Sequence, residues 1–361
     1  MRDFSNINPY KPGKPIEEVK RALGLKEVYK LASNEIPFVP SYIKKAVLAE
    51  IENINRYPEG GSFYLRELVA KKHGVKPEQI VFGNGSDEVI ALAITAAVAP
   101  GDEVIISHPT FLVYEIQALV RMAKVTRVPF KNCKYDLDAM AAVVTEKTKI
   151  VIIANPDNPT GTYCTPQEIA NFLGKIPKSV LVFFDEAYFE FAPKGFPDSL
   201  KILNSRGNII FSRTFSKVYG LAGVRLGYAI TTLEIAETLN KIREPFNINR
   251  FAQVAAIAAL KDKTFVKKVV AYNNKEKAYF YKELDKLNIT YLKSATNFIM
   301  IDFKEDTTAL NDYLLKNGVV IRELKGWGLP GFFRVTTGLH KENIKFIDCL
   351  KKYCCNGEKS K

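Results

Sequence analysis

Ser212-Arg213-Thr214-Phe215-Ser216-Lys217, continuing through Arg225-Leu226-Gly227, lies where one kind of backbone changes into another. Before it, Asn208 to Phe211 is a β-rich run. After it come Gly220-Leu221-Ala222-Gly223, an arginine at 225 and a second apolar strand from Tyr228. The lysine therefore falls where a strand gives way to irregular chain, the place at which side chains of an α/β protein face a cleft. Among hydroxyls and near a second cation its ammonium gives up its proton more readily, and the free amine can add to an aldehyde. Taken alone, Lys217 is one of 52 Lys and Arg residues, most of them solvated. Stretches elsewhere in the chain decide between the two readings.

Outward from that stretch, short apolar strands alternate with helices. Strands are expected at Ile80–Phe82, Glu103–Ile106, Lys124–Val128, Ile150–Ala154 and Val180–Phe184, with helices at Ser41–Ile54, Tyr64–His73, Val89–Ala99, 112–122, Leu137–Val144 and Pro166–Leu173. Such alternation predicts an α/β fold with a mostly parallel sheet covered on both faces, its working loops at the carboxyl ends of the strands. Beyond Gly227 the pattern changes to a long helical region, Leu233 to Leu287, broken near Pro245. Short strands and two more helices follow, which read as a smaller α+β end domain. The expected organisation is an N-terminal arm over 1–30, a large domain over 31–245 and a small domain over 246–361. The arm, Asn6-Ile7-Asn8-Pro9-Tyr10-Lys11-Pro12-Gly13, cannot form a regular element because its prolines lack donors and fix φ. It is expected to pack on the small domain or on a second subunit. Cys355 to Lys361 is expected to be disordered.

Composition narrows the function classes. With 361 residues, 47% hydrophobic and 25% charged, the chain reads as an ordinary soluble protein of two domains. No apolar run is long enough to span a membrane, and Met1-Arg2-Asp3-Phe4-Ser5-Asn6 lacks a signal-peptide core. Five cysteines without paired or metal-like spacing, and only three histidines, predict no metal site and a cytoplasmic location. A net charge of +13 raises the question of nucleic acid. The lysines are scattered among glutamates, however, as in Lys275-Glu276-Lys277. The basic balance therefore reads as an attraction for anionic small molecules, with no nucleic-acid partner.

Three loops carry the chemistry. Gly83-Asn84-Gly85-Ser86-Asp87-Glu88 joins a strand to an almost wholly apolar helix, so free backbone N–H groups and a serine gather at a helix N-terminus. That is either an ordinary capped turn or a site for an anion, phosphate above all. Asp185 closes an apolar strand, where a carboxylate is costly unless a cation or donor meets it. It caps the segment that follows, or it keeps a heterocyclic nitrogen protonated. Tyr188 lies three residues on, and Asn158 is a fixed amide donor between two prolines.

Asn-Pro-x-Asn-Pro-Thr-Gly (155–161), Asp-Glu-Ala-Tyr (185–188) and Ser-x-x-Phe-Ser-Lys (212–217), with Arg225 eight after the lysine, resemble the pyridoxal-phosphate aminotransferases of fold type I. The likeness covers almost the whole chain. Within that family it is strongest to the histidinol-phosphate aminotransferases, through Asn-Pro-Tyr-Lys-Pro-Gly (8–13), Asn-Arg-Tyr-Pro-Glu-Gly (55–60), Gly-Asn-Gly-Ser-Asp-Glu (83–88), Ile-Arg (321–322) and Gly-Leu-Pro-Gly-Phe-Phe-Arg-Val-Thr (328–336).

The resemblance implies pyridoxal 5'-phosphate as cofactor and a role for each matching position. Lys217 would hold the cofactor through its amine and carry the substrate's α-proton, with Asp185 paired to the ring nitrogen. Tyr188 and Asn158 would bond the ring's 3′ oxygen, and Phe111 would stack on the ring. Gly85, Ser86, Asp87, Thr214, Ser216 and Arg225 would hold the phosphate, joined by Tyr57 from a second subunit, so a homodimer is implied. Tyr10, Arg322 and Arg334 would bind the substrate's phosphate, with Tyr57 and Asn158 also on the substrate side. Two guanidiniums and a phenol suit a dianion. The implied reaction is amino transfer between L-histidinol phosphate, a phosphorylated amino alcohol, and the 2-oxo acid 2-oxoglutarate, in histidine biosynthesis. Aromatic amino-acid transamination and threonine-phosphate decarboxylation share Lys217, Asp185 and Arg225 and are the rival expectations. Ile36 stands where the family pattern carries asparagine, which touches substrate specificity alone. A pyridoxal-phosphate-binding DNA regulator would need a helix-turn-helix module ahead of this portion, where only an arm and a helix are read.

Overall fold

The computed structural model describes residues 3–10 and 12–355. The chain divides into two compact units. One comprises Met1–Tyr10, Phe38–Asn158 and Tyr163–Lys267; the other comprises Lys11–Pro37, Pro159–Thr162 and Lys268–Lys361.

After the two-residue strand β1 (Tyr29–Lys30), which belongs to the second unit, the first unit supplies seven strands. They are β2 (Ile80–Gly83), β3 (Glu103–His108), β4 (Lys124–Pro129), β5 (Thr148–Ala154), β6 (Leu181–Asp185), β7 (Ile209–Thr214) and β8 (Gly227–Thr231). They form one sheet in the order β2-β8-β7-β6-β5-β3-β4. The run β7-β6-β5-β3-β4 is parallel throughout, and β8 is antiparallel to both its neighbours. The fold class is therefore the expected α/β with a mostly parallel sheet. Its central strands are apolar at consecutive positions, as a sheet covered on both faces requires. Val182, Phe183, Ile209, Ile210, Ile152 and Ile153 are all buried. Each such side chain stabilises the fold by roughly 1.5–3 kcal/mol relative to its exposed state. Phe184 and Phe211, on adjacent strands, stack with ring centroids 5.1 Å apart and planes at 13°.

Register fixes what meets at the carboxyl edge. Ala154 pairs with Asp185, and Asp185 with Ser212, so the loops after β5, β6 and β7 leave the sheet side by side. Thr214 pairs with Gly227, and Gly227 with Gly83, which brings the turn after β2 to the same edge.

The second unit holds β9 (Thr290–Tyr291), β10 (Phe298–Asp302), β11 (Val319–Val320), β12 (Arg322–Glu323) and β13 (Phe332–Thr336). Four of these make an antiparallel sheet in the order β12-β13-β10-β9, and β11 pairs in parallel with β1. Phe280, Ile299, Ile301, Phe333, Phe346 and Leu350 form its core, joined by Leu31 from the N-terminal stretch.

Three local readings are corrected. β7 continues through Ser212, Arg213 and Thr214, because these pair with Ala229, Tyr228 and Gly227; the polar turn begins only after them. The helix after β2 starts at Ser86, not Val89, since Gly85 at φ 77 supplies the entry turn. The stretch 233–287 is three helices, Leu233–Ile242, Arg250–Lys261 and Phe265–Lys286. Pro245 lies in the first break. Asp262 ends the second by accepting from the Thr264 and Phe265 amides at 2.8 and 3.1 Å. At the C-terminus Cys355 is helical, and 356–361 lie outside the described residues.

Removing one ring of the central stack tests this core. Phe211→Ala is expected to cost about 3–5 kcal/mol, read from urea unfolding followed by circular dichroism. A loss below about 1 kcal/mol would show that the stack is dispensable.

Candidate active site

The carboxylate of Asp185 anchors the carboxyl edge of the first unit's sheet. It ends β6 and is only 5% exposed. Tyr114, on the helix Val113–Val120, donates its hydroxyl to Oδ2 at 2.6 Å, and the Ala187 amide donates to Oδ1 at 3.0 Å. Burial pushes the carboxyl up to about 6, while those two donors and the Lys217 charge pull it down and the Asp87 charge adds to the rise. A carboxyl balanced in this way takes up a proton more readily than an exposed aspartate does, and a neighbouring cation would favour its charged form.

Lys217 follows β7 by three residues and is half-buried. Its Nζ lies 5.7 Å from the centroid of the Tyr188 ring. Tyr188 is buried at the start of the turn after Asp185. Asn158 sits in the loop after β5, whose base is clamped by Asn155. That side chain accepts from the Cys164 amide at 2.8 Å, and its own main-chain amide donates to the Asp185 carbonyl at 2.9 Å. Phe111, in the loop after β3, meets Tyr114 edge-on at 5.6 Å and 85°, and Tyr10 at 6.1 Å and 76°.

Beside this group is a cradle of donors. Gly85 precedes the helix Ser86–Ala97 with φ +77, and a Cβ there would stand 2.4 Å from Nη2 of Arg225. Glycine thus admits both the backbone conformation and the guanidinium. Arg225 reaches Asp87 at 3.0 Å and Ser216 Oγ at 3.4 Å. Thr214 Oγ1 accepts from the Ser216 amide at 3.0 Å and donates to the Leu226 carbonyl at 3.3 Å, which shapes the turn. Uncapped helix N–H groups, serine hydroxyls and a guanidinium form a donor set that fits a phosphate dianion. Among the described residues no group of three or more His, Cys, Asp or Glu is placed to hold a metal ion.

The remaining candidates are placed as follows. Tyr57 is 78% exposed and stacks on Phe246 at 4.8 Å and 18°. In the second unit Arg322 and Arg334 face each other across β12 and β13. Arg334 is buried, donates to the Ala32 carbonyl at 2.9 Å, and has its guanidinium carbon 4.9 Å from the centre of the Phe298 ring. Arg322 lies 5.9 Å from the Trp327 ring.

Tyr114 was not singled out in the sequence, although it lies only three residues after Phe111. Equally unassigned was the buried pair Arg213–Glu186, at 2.8 Å, which joins the loop after Asp185 to β7. Burial works against the Arg213 charge, but Glu186 outweighs it and holds the guanidinium protonated. Burial, helped by the Arg213 and Lys72 charges, pushes His73 down to about 2. The neutral ring therefore accepts a hydrogen bond from the Arg213 guanidinium on Nδ1, at 3.3 Å, and donates from Nε2 to Tyr228 at 2.9 Å.

Residues 26–347 fit the model described as aminotransferase class I and II. The chain belongs to that family. A histidinol-phosphate aminotransferase of Haemophilus influenzae is 42% identical over 353 residues, covering 97% of this chain and 96% of that protein. Another, from Moorella thermoacetica, is 44% identical over 350 residues, covering 96% and 91%. Among solved structures, the histidinol-phosphate aminotransferase of Sinorhizobium meliloti, in complex with pyridoxal 5'-phosphate, superposes with a TM-score of 0.89 at 28% identity, covering 95% of each chain.

Gly85→Ala puts a methyl group where the Arg225 guanidinium lies. The expected result is at least about tenfold weaker binding of pyridoxal phosphate in an absorbance titration, together with a lower melting temperature of the cofactor-free protein, because alanine resists the φ of +77. Unchanged affinity would remove Arg225 from the cradle.

Proposed function

We propose that the chain is a histidinol-phosphate aminotransferase using pyridoxal 5'-phosphate. It exchanges an amino group between L-histidinol phosphate and 2-oxoglutarate, in either direction, giving imidazole acetol phosphate and L-glutamate, as a step of histidine biosynthesis. The observation that carries this reading is the likeness to enzymes of that name at 42% and 44% identity along nearly the full length of both chains.

When bound, pyridoxal phosphate supplies a ring that withdraws electrons from the substrate's α-carbon and carries the amino group between two half-reactions. The chain does the rest. Lys217 holds the cofactor through Nζ and, once displaced by substrate, moves the proton of the substrate's α-carbon. Asp185 keeps the ring nitrogen protonated, a role supported by its burial at the end of β6 and by the Tyr114 and Ala187 donors that orient its carboxylate. Tyr188 and Asn158 donate to the 3′ oxygen, and Phe111 covers the ring. Gly85, Ser86, Asp87, Thr214, Ser216 and Arg225 take the cofactor's phosphate. On the substrate side Arg334, Arg322 and Tyr10 take the phosphate of the amino alcohol. The pairing of two arginines across β12 and β13 supports a dianionic group there.

The active form is a homodimer in which Tyr57 completes the other subunit's site. The support is the exposure of Val39, Leu48, Ile54, Tyr57, Phe63 and Tyr64, all between 53% and 89%, more apolar surface than one short stretch of a monomer exposes singly. No helix among the described residues is long and apolar enough to cross a membrane. The proposed compartment is the cytoplasm, and no nucleic-acid partner is proposed.

Lys217→Ala is expected to fold and to bind the cofactor without a covalent link, but to lose multiple turnover by about three orders of magnitude or more. Sustained cycling in that variant would remove the lysine from its role. Initial rates for the wild type are expected to show kcat/KM for histidinol phosphate at least about a hundredfold above that for phenylalanine; the reverse order would establish the aromatic amino-acid reading.

A further inference from the structure

Asp185 is one of the most constrained side chains in the first unit, and what constrains it lies outside the roles assigned above. Its Oδ2 receives the Tyr114 hydroxyl at 2.6 Å. Tyr114 is 1% exposed, and its ring is pinned edge-on against Phe111 at 5.6 Å. Burial, with the charge of Asp185 and of Asp157 and the neighbouring Tyr135, raises the phenol well above its ordinary value, so Tyr114 keeps its proton at neutral pH. The hydroxyl therefore keeps the proton that it donates to Oδ2, and donation to the charged form favours the ionised carboxylate over the neutral acid.

We infer that Tyr114 is a positioning residue for Asp185, a phenol that fixes the plane of the carboxylate and keeps it ionised for the cofactor's ring nitrogen. This rests on the reading of Asp185 given above. The hydrogen-bond count agrees with it. Each carboxylate oxygen has a second lone pair; Tyr114 takes one on Oδ2 and the Ala187 amide takes one on Oδ1, and each oxygen retains one for a further donor. Tyr114 also touches Phe111, the ring assigned to stack on the cofactor. One side chain thus braces both the face and the edge of the same ligand. The groups acting on the Asp185 carboxyl are Tyr114, the Ala187 amide, Lys217 and Asp87, and only Tyr114 can lose its donor without a change of charge or backbone.

The test compares Tyr114→Phe, which removes one oxygen atom from a packed ring, with 3-fluorotyrosine placed at 114, whose more acidic hydroxyl is a stronger donor. Cofactor-free protein is titrated with pyridoxal phosphate at a series of pH values, and its melting temperature is recorded. In the wild type, affinity falls on the acid side as Asp185 takes a proton. Tyr114→Phe makes the carboxyl easier to protonate, so this limb moves to higher pH and affinity at neutral pH drops about tenfold. The fluorinated residue moves the limb the other way. Asp185→Asn removes the limb, and adding Tyr114→Phe to it costs nothing more. If Asp185→Asn weakens binding while both changes at 114 leave affinity and limb in place, Tyr114 has no such role and the Asp185 reading stands. A Tyr114→Phe loss that is equal at all pH values, or matched by a lower melting temperature, marks a packing role and overturns the inference. If Asp185→Asn binds as the wild type does, the reading of Asp185 fails and the inference fails with it.

Discussion

A carboxylate shut away from water at the end of a strand is unfavourable unless its surroundings answer it, and most of the first unit's design follows from Asp185 being such a group. Taking an ion of that kind into a protein interior costs several kcal/mol before any partner is counted. The strand can carry it because the ladder on either side is complete. Ala154 and Ser212 are in register with it, and the ladder continues past it through the Asn155 and Glu186 amides. The carboxyl is thus held by the backbone more firmly than any loop residue would be. The phenol of Tyr114 and the amide of Ala187 then set how readily it takes a proton. The helix that carries the phenol also carries the packing that keeps Phe111 in place.

The second layer of support is ionic. Glu186 and Arg213 form a pair that is almost wholly buried, with Ser199 donating to Glu186 and the Arg213 guanidinium lying 3.5 Å over the Phe189 ring. Breaking such a pair by removing one member leaves an uncompensated charge in the interior. The pair joins the residue after Asp185 to the strand before Lys217. It therefore ties the segment that follows β6 to β7, the strand that leads to Lys217.

How much of this was legible depended on whether a residue's neighbours were near in sequence. The strands and the loops at their carboxyl ends could be read, because buried parallel strands are apolar throughout and glycine, proline and asparagine mark the turns between them. Lys217, Asp185, Asn158 and Arg225 could be read because the short motifs around them resemble those of a known family, each residue taken alone admitting an ordinary structural reading. The continuation of β7 through Ser212-Arg213-Thr214 was hidden. Three polar residues look like a turn until the antiparallel partner Gly227–Ala229 is known. Tyr114 and the Arg213–Glu186 pair were hidden for the same reason: their partners lie 71 and 27 residues away, and no local pattern records such a meeting. The Asp262 cap was legible in principle, as an aspartate two residues before a threonine and three before a helix start, but the neighbouring lysines made the region look like a continuous helix.

The second unit draws on both ends of the chain. Leu31 packs in its core, β1 pairs with β11, and the Asn34 amide donates to Thr336 Oγ1 at 3.0 Å across 302 residues of sequence. During synthesis the N-terminal segment therefore emerges from the ribosome long before the strands it must join exist, and it waits through the making of the whole first unit. A gene fragment encoding 268–361 alone would lack a core leucine and an edge strand, so the C-terminal third is not a transplantable module.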